Sequence, residues 1–175
     1  MMTGIRIILC LAMITGGTAA GFYFSHRLTN RKEQLNELIQ GLEYLKNEIY
    51  YTRAPLQYAA MRASEISSGK AQLFLWKFSK LLSKQNEDVQ TLWYLCAAEV
   101  LGGRNVLTEK DIRCICALGA ELGKTDVSGQ CKSIGRTMLE LSKHKEDAQQ
   151  AEQQKGHVYR TAGVAAGLLC AVLAV

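Results

Sequence analysis

The segment Gly119-Ala120-Glu121-Leu122-Gly123-Lys124-Thr125 is where residue types in this chain come nearest to a chemical signature. Glycines followed by Lys-Thr are how a phosphate-binding loop, G-x-x-x-x-G-K-[ST], cradles a nucleotide. Here three residues separate the glycines instead of four, and a helical pattern precedes Gly119 where a strand is needed. The cradle depends on a strand-to-helix turn that aims backbone N–H groups inward. A corner between two helices is the expected reading, with Asp126 capping the second. Nucleotide binding through Lys124 stays as the alternative.

Other reactive side chains do not assemble. The six cysteines (Cys10, Cys96, Cys114, Cys116, Cys131, Cys170) lie in apolar ends or among helical core residues. Cys114 and Cys116 form C-x-C, but positions two apart on a helix point in widely different directions. No histidine has metal-ligand spacing to them. They read as buried free thiols, which suits a reducing compartment. His26, His144 and His157 stand beside apolar segments or on a polar stretch, where solvated side chains are expected. The carboxylate pairs Glu87-Asp88 and Glu146-Asp147 lack an apolar setting that would shift their pKa. The expectation is a non-enzymatic protein with no catalytic residue, cofactor, metal or small-molecule substrate. Its net charge of +5 comes from basic residues interleaved with acids. No basic patch with groove-reading elements stands out, so nucleic acid is not an expected partner.

The elements that would carry these residues are helices. There is one proline, Pro55, and little strand-like alternation. Leu35, Leu38, Ile39, Leu42, Leu45 and Ile49 mark the buried face of a helix from about Leu28 to Tyr51. Pro55 fits a first helical turn, followed by Leu56, Ala59, Ala60 and Ala63. Ala71–Leu82 is apolar on most faces, Leu73 and Trp76 included, and is expected to be the most buried helix. Val89–Leu101 should place Leu92, Trp93 and Leu95 in the core and end at Gly102-Gly103. Thr108 to Asp111 resembles a capping box with Asp in place of Glu, opening a helix with Ile112, Ile115, Leu118 and Leu122. Val127, Cys131, Ile134, Met138 and Leu141, spaced four, three, four, three, stripe a last helix. It continues as one helix, or as two joined near Gly156. The polar run Ser142–Lys155 then predicts a bare helical neck. The fold class is all-α, a bundle of about six helices.

Both ends are apolar. Gly4–Phe24 matches the ~20 residues that span a bilayer, with a cleaved signal peptide as its rival. Thr161–Val175 would rise only ~22 Å against a hydrocarbon core of ~30 Å, so a shallow insertion competes with a full span there. The expected organisation is an N-terminal transmembrane helix in 1–24 and a bundle in 25–158 with its neck at 142–155. A C-terminal membrane segment follows in 159–175. Basic residues flank both apolar segments on the bundle side (His26, Arg27, Arg31, Lys32; Lys155, Arg160), which places 25–158 in the cytoplasm. Gly17 with Gly21, and Gly163 with Gly167, have the G-x-x-x-G spacing that lets membrane helices approach closely. They are candidates for packing between the two anchors.

Taken in order, these features resemble the stage III sporulation protein AB family of endospore-forming bacteria. After the N-terminal membrane helix comes Leu42-Glu43…Glu48-Ile49…Tyr51…Ala54-Pro55-Leu56…Ala59. Next is Leu118-Gly119…Leu122-Gly123-Lys124-Thr125-Asp126 with Gln130 beyond it. A Glu/Gln-rich helix then leads to Tyr159…Gly163…Gly167 and the apolar end. The resemblance covers essentially the whole chain, departing in the short final segment and the cysteine-rich core. The family is similar to the cytoplasmic domains of the F-type platform protein of type II secretion and type IV pilus systems, which implies a helical bundle of that type. It also implies a membrane scaffold in a secretion-like channel between mother cell and forespore, required after engulfment.

The partners so implied are the mother cell's outer forespore membrane and the other stage III sporulation A-operon proteins, including the AA ATPase. Assembly into a homo-oligomer is left open. A general secretion or pilus platform is the neighbouring alternative, although its usual members are longer and carry a duplicated cytoplasmic domain. Glu43, Glu48, Asp126 and Gln130 are candidate partner contacts because the resemblance runs through them. The plainer alternative makes Glu43 and Glu48 solvated helix-face acids, with Asp126 and Gln130 ordering a corner.

Overall fold

The computed structural model describes residues 26, 27, 29–84, 87–103 and 106–173, with side chains as far as Gln153. Helix α1 (29–47) runs into a π-helical turn, Glu48–Thr52. Then come α2 (Leu56–Ile66), α3 (Gly69–Lys84), α4 (Val89–Leu101), α5 (Glu109–Gly119) and α6 (Val127–Leu173). The described residues are all-α in six helices, as the periodicity predicts, and α6 is one helix through Gly156.

The chain divides into two compact units. Arg31–Glu146 forms the larger. Here the apolar stripe of α1 is buried at Leu35, Leu38, Leu42, Leu45 and Ile49. Helix α2 packs on α3, α3 on α4 and α4 on α5. Trp93 sits in their midst with no exposed surface. The rings of Phe74 and Phe78 meet it edge-on, with centroids 4.6 and 4.8 Å away, a geometry worth about 0.5–1.5 kcal/mol per pair beyond burial alone. Its indole Nε1 donates to the Ile115 carbonyl at 2.7 Å, so the one polar atom of the ring is satisfied inside the core. The described residues of the other unit come from Met1–Asn30 and Asp147–Val175. In it Thr29 Oγ1 donates to Glu152 Oε1 at 2.7 Å and Ala148 is buried.

Three expectations are corrected. Helix α3 is not buried all round: Ala71, Phe74, Leu75 and Phe78 face inward, while Leu73 and Trp76 are 46% and 45% exposed. Leu95 of α4 is likewise exposed. A helix apolar on most faces gives no periodicity from which to choose its inner side, and here its neighbours choose it. The run from Ser142 onward is not a bare neck either. Ala148 is buried, His144 is largely buried, and Lys145 Nζ donates to Asn36 Oδ1 at 3.3 Å.

Among the described residues no helix is long and apolar enough to cross a membrane. The expected span in 1–24, with Gly17 and Gly21, lies outside the described residues. The segment from 159 continues α6 as helix to Leu173, and Gly163 and Gly167 lie on it beyond the described side chains.

Candidate functional site

The strongest polar construction in the bundle grows from the cap of α5. Thr108 stands just before the helix and accepts from the Asp111 backbone N–H at 3.4 Å. In return, Asp111 Oδ2 accepts from the Thr108 backbone N–H at 2.8 Å. This is the reciprocal capping box the sequence indicates. Its acidic member has a second role that the local pattern does not show. Asp111 is fully buried, and Arg31 of α1 reaches it with two donors: Nε to Oδ2 at 2.9 Å and Nη2 to Oδ1 at 3.0 Å. From α6, His144 Nδ1 lies 2.9 Å from Asp111 Oδ1. That nitrogen is buried and has no aligned hydrogen-bond acceptor. One carboxylate thus joins α1, α5 and α6.

The electrostatics follow from this geometry. Burial pushes the Asp111 carboxyl up, but the hydrogen bonds from Arg31 and Thr108, with the Arg31 charge, outweigh it and the net direction is down. An isolated buried carboxylate would be very unfavourable, and a two-pronged guanidinium is the partner that best offsets the desolvation. The Asp–His contact lacks a nucleophile. Cys114, one turn along α5, is buried and pushed up to about 12, by burial first and then by Glu140, so it remains a thiol at neutral pH. Cys96 is raised to about 11, and Cys116 and Cys131 are also raised, each chiefly by burial. All four thiols are free, and among the described residues no group of His, Cys, Asp and Glu could hold a metal.

The Gly119–Thr125 segment is a helix corner. Gly119 is the last residue of α5, and a Cβ placed there would come within 2.5 Å of Trp93 Cδ1. The glycine admits the indole of α4, which explains it without a phosphate. Gly123 has φ +76, the left-handed backbone that lets the corner turn. Lys124 Nζ donates to Gln90 Oε1 at 2.9 Å. A helix lies on each side, and the N–H groups of Ala120, Glu121 and Leu122 already donate to the Ala117 and Leu118 carbonyls of α5. They therefore do not form the open cradle of a strand-to-helix loop.

The four candidate contact residues separate by role. Asp126 Oδ1 accepts from the Gly129 N–H at 2.9 Å, the expected N-cap of α6. Gln130 Nε2 donates to the Thr125 carbonyl at 3.0 Å. Both order the corner. Glu43 faces solvent. Glu48 does not fit the solvated-acid alternative: it is half-buried in the π-turn, and its Oε2 is buried without a hydrogen-bond partner among the described residues. Cys131 Sγ lies 3.8 Å from the Lys46 carbonyl and Lys145 reaches Asn36, so α6 runs antiparallel to α1. That register brings Glu48, Asp126 and Gln130 to one end of the bundle and leaves Glu43 more than a turn back along α1. Tyr50 and Tyr51 are exposed there, and Arg53 closes the π-turn at φ 49.

Sequence reasoning takes Arg31 only as a basic flank and His144 as a solvated side chain. The structure corrects the second, since His144 is largely buried, and both residues carry a signal. Arg31 continues the spacing of Leu35 and Leu38, and Asp111 that of Ile115 and Leu118. His144 likewise falls between Leu141 and Ala148 on the buried side of α6. A charged residue in phase with an apolar stripe points into the core.

The chain matches the family model for stage III sporulation protein AB over residues 6–175. It is 24% identical to stage III sporulation protein AB of Bacillus subtilis (strain 168) over 169 residues, 97% of this chain and 98% of that protein. A solved structure of stage III sporulation protein AB superposes with a TM-score of 0.65 at 25% identity, covering 71% of this chain and 98% of that one. The chain belongs to the stage III sporulation protein AB family.

Proposed function

We propose that this member of the stage III sporulation protein AB family is a non-catalytic, membrane-anchored scaffold of a secretion-like channel between mother cell and forespore. It acts after engulfment and couples the cytoplasmic AA ATPase to the other channel subunits of the same operon. The observation that carries this reading is the family match from residue 6 to residue 175. It takes in the bundle and both apolar ends, and family membership supports a role in sporulation. The bundle's construction suits a scaffold. Its strongest polar contact, Arg31–Asp111–His144, braces three helices rather than presenting reactive groups to a substrate. The apolar ends anchor the protein in the mother cell's outer forespore membrane, with residues 25–158 in the cytoplasm and the basic flanks on that side.

Fractionation and affinity purification of the full chain from sporulating cells test the proposal. The expected result is recovery in the membrane fraction together with the AA ATPase. Recovery in the soluble fraction, or from membranes without the ATPase, would contradict it.

A further inference from the structure

The bundle leaves an apolar cleft open between α2 and α3. Met61, Leu73 and Trp76 line it, with Ser64, Glu65 and Gln72 as its polar members, and its volume is about 260 Å³. Half-exposed Trp and Leu side chains grouped with polar residues around them characterise an interaction surface more than a satisfied exterior. The cleft holds one or two side chains of a partner and is small for an enclosed ligand.

Charge says what kind of partner fits. Helix α3 carries Lys70, Lys77, Lys80 and Lys84 and no acid. Lys77 pairs with Glu99 of α4. Lys80 is exposed with its Nζ 6.0 Å from the Trp76 ring centroid, and Lys84 is exposed one turn further on. Against them the cleft itself presents a single carboxylate, Glu65.

We propose that this cleft docks an acidic amphipathic helix of another protein. Apolar side chains of that helix, one turn apart, enter between Met61 and Trp76, while its acidic face meets Lys80 and Lys84. A bilayer surface fits less well, because Glu65 and Gln72 lie in the lining beside Leu73 and Trp76, where acyl chains would leave their polar groups unpaired. The proposal rests on the scaffold reading for the existence of a partner and adds the surface and the chemistry by which that partner is recognised.

The test replaces Leu73 with the photocrosslinker p-benzoylphenylalanine in the full chain and irradiates sporulating cells of the native host. Adducts are then mapped to the residue by mass spectrometry. A second chain carries the probe at Leu139, which is 61% exposed on α6. The expected result is an adduct from Leu73 to a segment of a different protein with apolar residues every three or four positions and acids beside them. Its yield falls about tenfold when Lys80→Glu and Lys84→Glu are added, because like charges then face each other, and the Leu139 probe does not give that adduct. An adduct to lipid, to a second copy of this chain or to a basic segment overturns the proposal. So does a Leu73 adduct indifferent to the charge reversals, or no adduct from Leu73 in cells where the chain accumulates normally. If the adduct forms but deletion of the gene leaves sporulation intact, the sporulation reading fails and the docking surface stands. A sporulation requirement without the adduct gives the reverse.

Discussion

Arg31 and Asp111, 80 residues apart in the chain, meet in a two-donor ion pair at 2.9 and 3.0 Å, with the carboxylate fully buried. Removing the arginine leaves a buried charge without its main partner, so Arg31→Ala should destabilise the protein by about 3 kcal/mol. Replacing both members with apolar residues removes the stranded charge. The double variant Arg31→Met/Asp111→Leu should therefore be more stable than Arg31→Ala, as urea unfolding of the three proteins would show. Equal stability of Arg31→Ala and the native chain would remove the brace from the account.

The same pair gives a pH dependence with a definite sign. The folded Asp111 carboxyl lies below its ordinary value, so the folded state binds the proton less readily than the unfolded one. Its contribution is fully present above the unfolded value of about 3.9 and is lost as pH falls from there through the folded value. Urea midpoints measured at falling pH should drop in the native protein, with a shallower decline in Asp111→Asn over that window.

Gly119 and Gly135 make a matched contrast. A Cβ at Gly119 would meet the Trp93 ring at 2.5 Å, whereas at Gly135 nothing lies within 4 Å. Trp93 cannot yield, because Phe74, Phe78 and the Ile115 carbonyl fix its ring. Gly119→Ala should therefore lower stability by about 1–3 kcal/mol through overpacking. Gly135→Ala, within α6, should raise it by about 0.5–1 kcal/mol.

Lys124 is exposed and bonded only to the Gln90 side chain among the described contacts. Lys124→Ala should change stability by less than about 0.5 kcal/mol. Isothermal titration of the full chain with ATP or GTP should show no binding for the lysine variant to abolish.

The thiols of Cys96 and Cys114 are pushed up to about 11 and about 12 and are buried. In the folded protein at pH 8 both should resist an aromatic disulfide reagent, while the half-buried Cys116 and Cys131 react before them. Unfolding in urea should release the difference, and peptide mapping assigns it residue by residue.

The helices were legible because apolar spacing and capping chemistry are local. The stripe of α1, the Thr108–Asp111 box and the Asp126 cap each need only a few neighbouring residues to be recognised. The brace was not legible in full because it joins three helices through polar side chains, and polar runs read as solvent-facing. The phase of Arg31, Asp111 and His144 with their stripes was the available clue. Trp76 was misplaced for the opposite reason: α3 has too many apolar residues for spacing to pick an inner face, and only the positions of α2 and α4 decide it. Glu48 falls between these cases, because it is half-buried at the start of a π-turn, an element that leaves no composition signature.

Deletion of this gene in its host, followed by counts of heat-resistant spores and imaging of engulfment, tests the central claim most directly. A scaffold of the mother cell–forespore channel predicts normal vegetative growth, completed engulfment and a loss of heat-resistant spores that the intact gene restores. Normal spore counts in the deletion strain would contradict it.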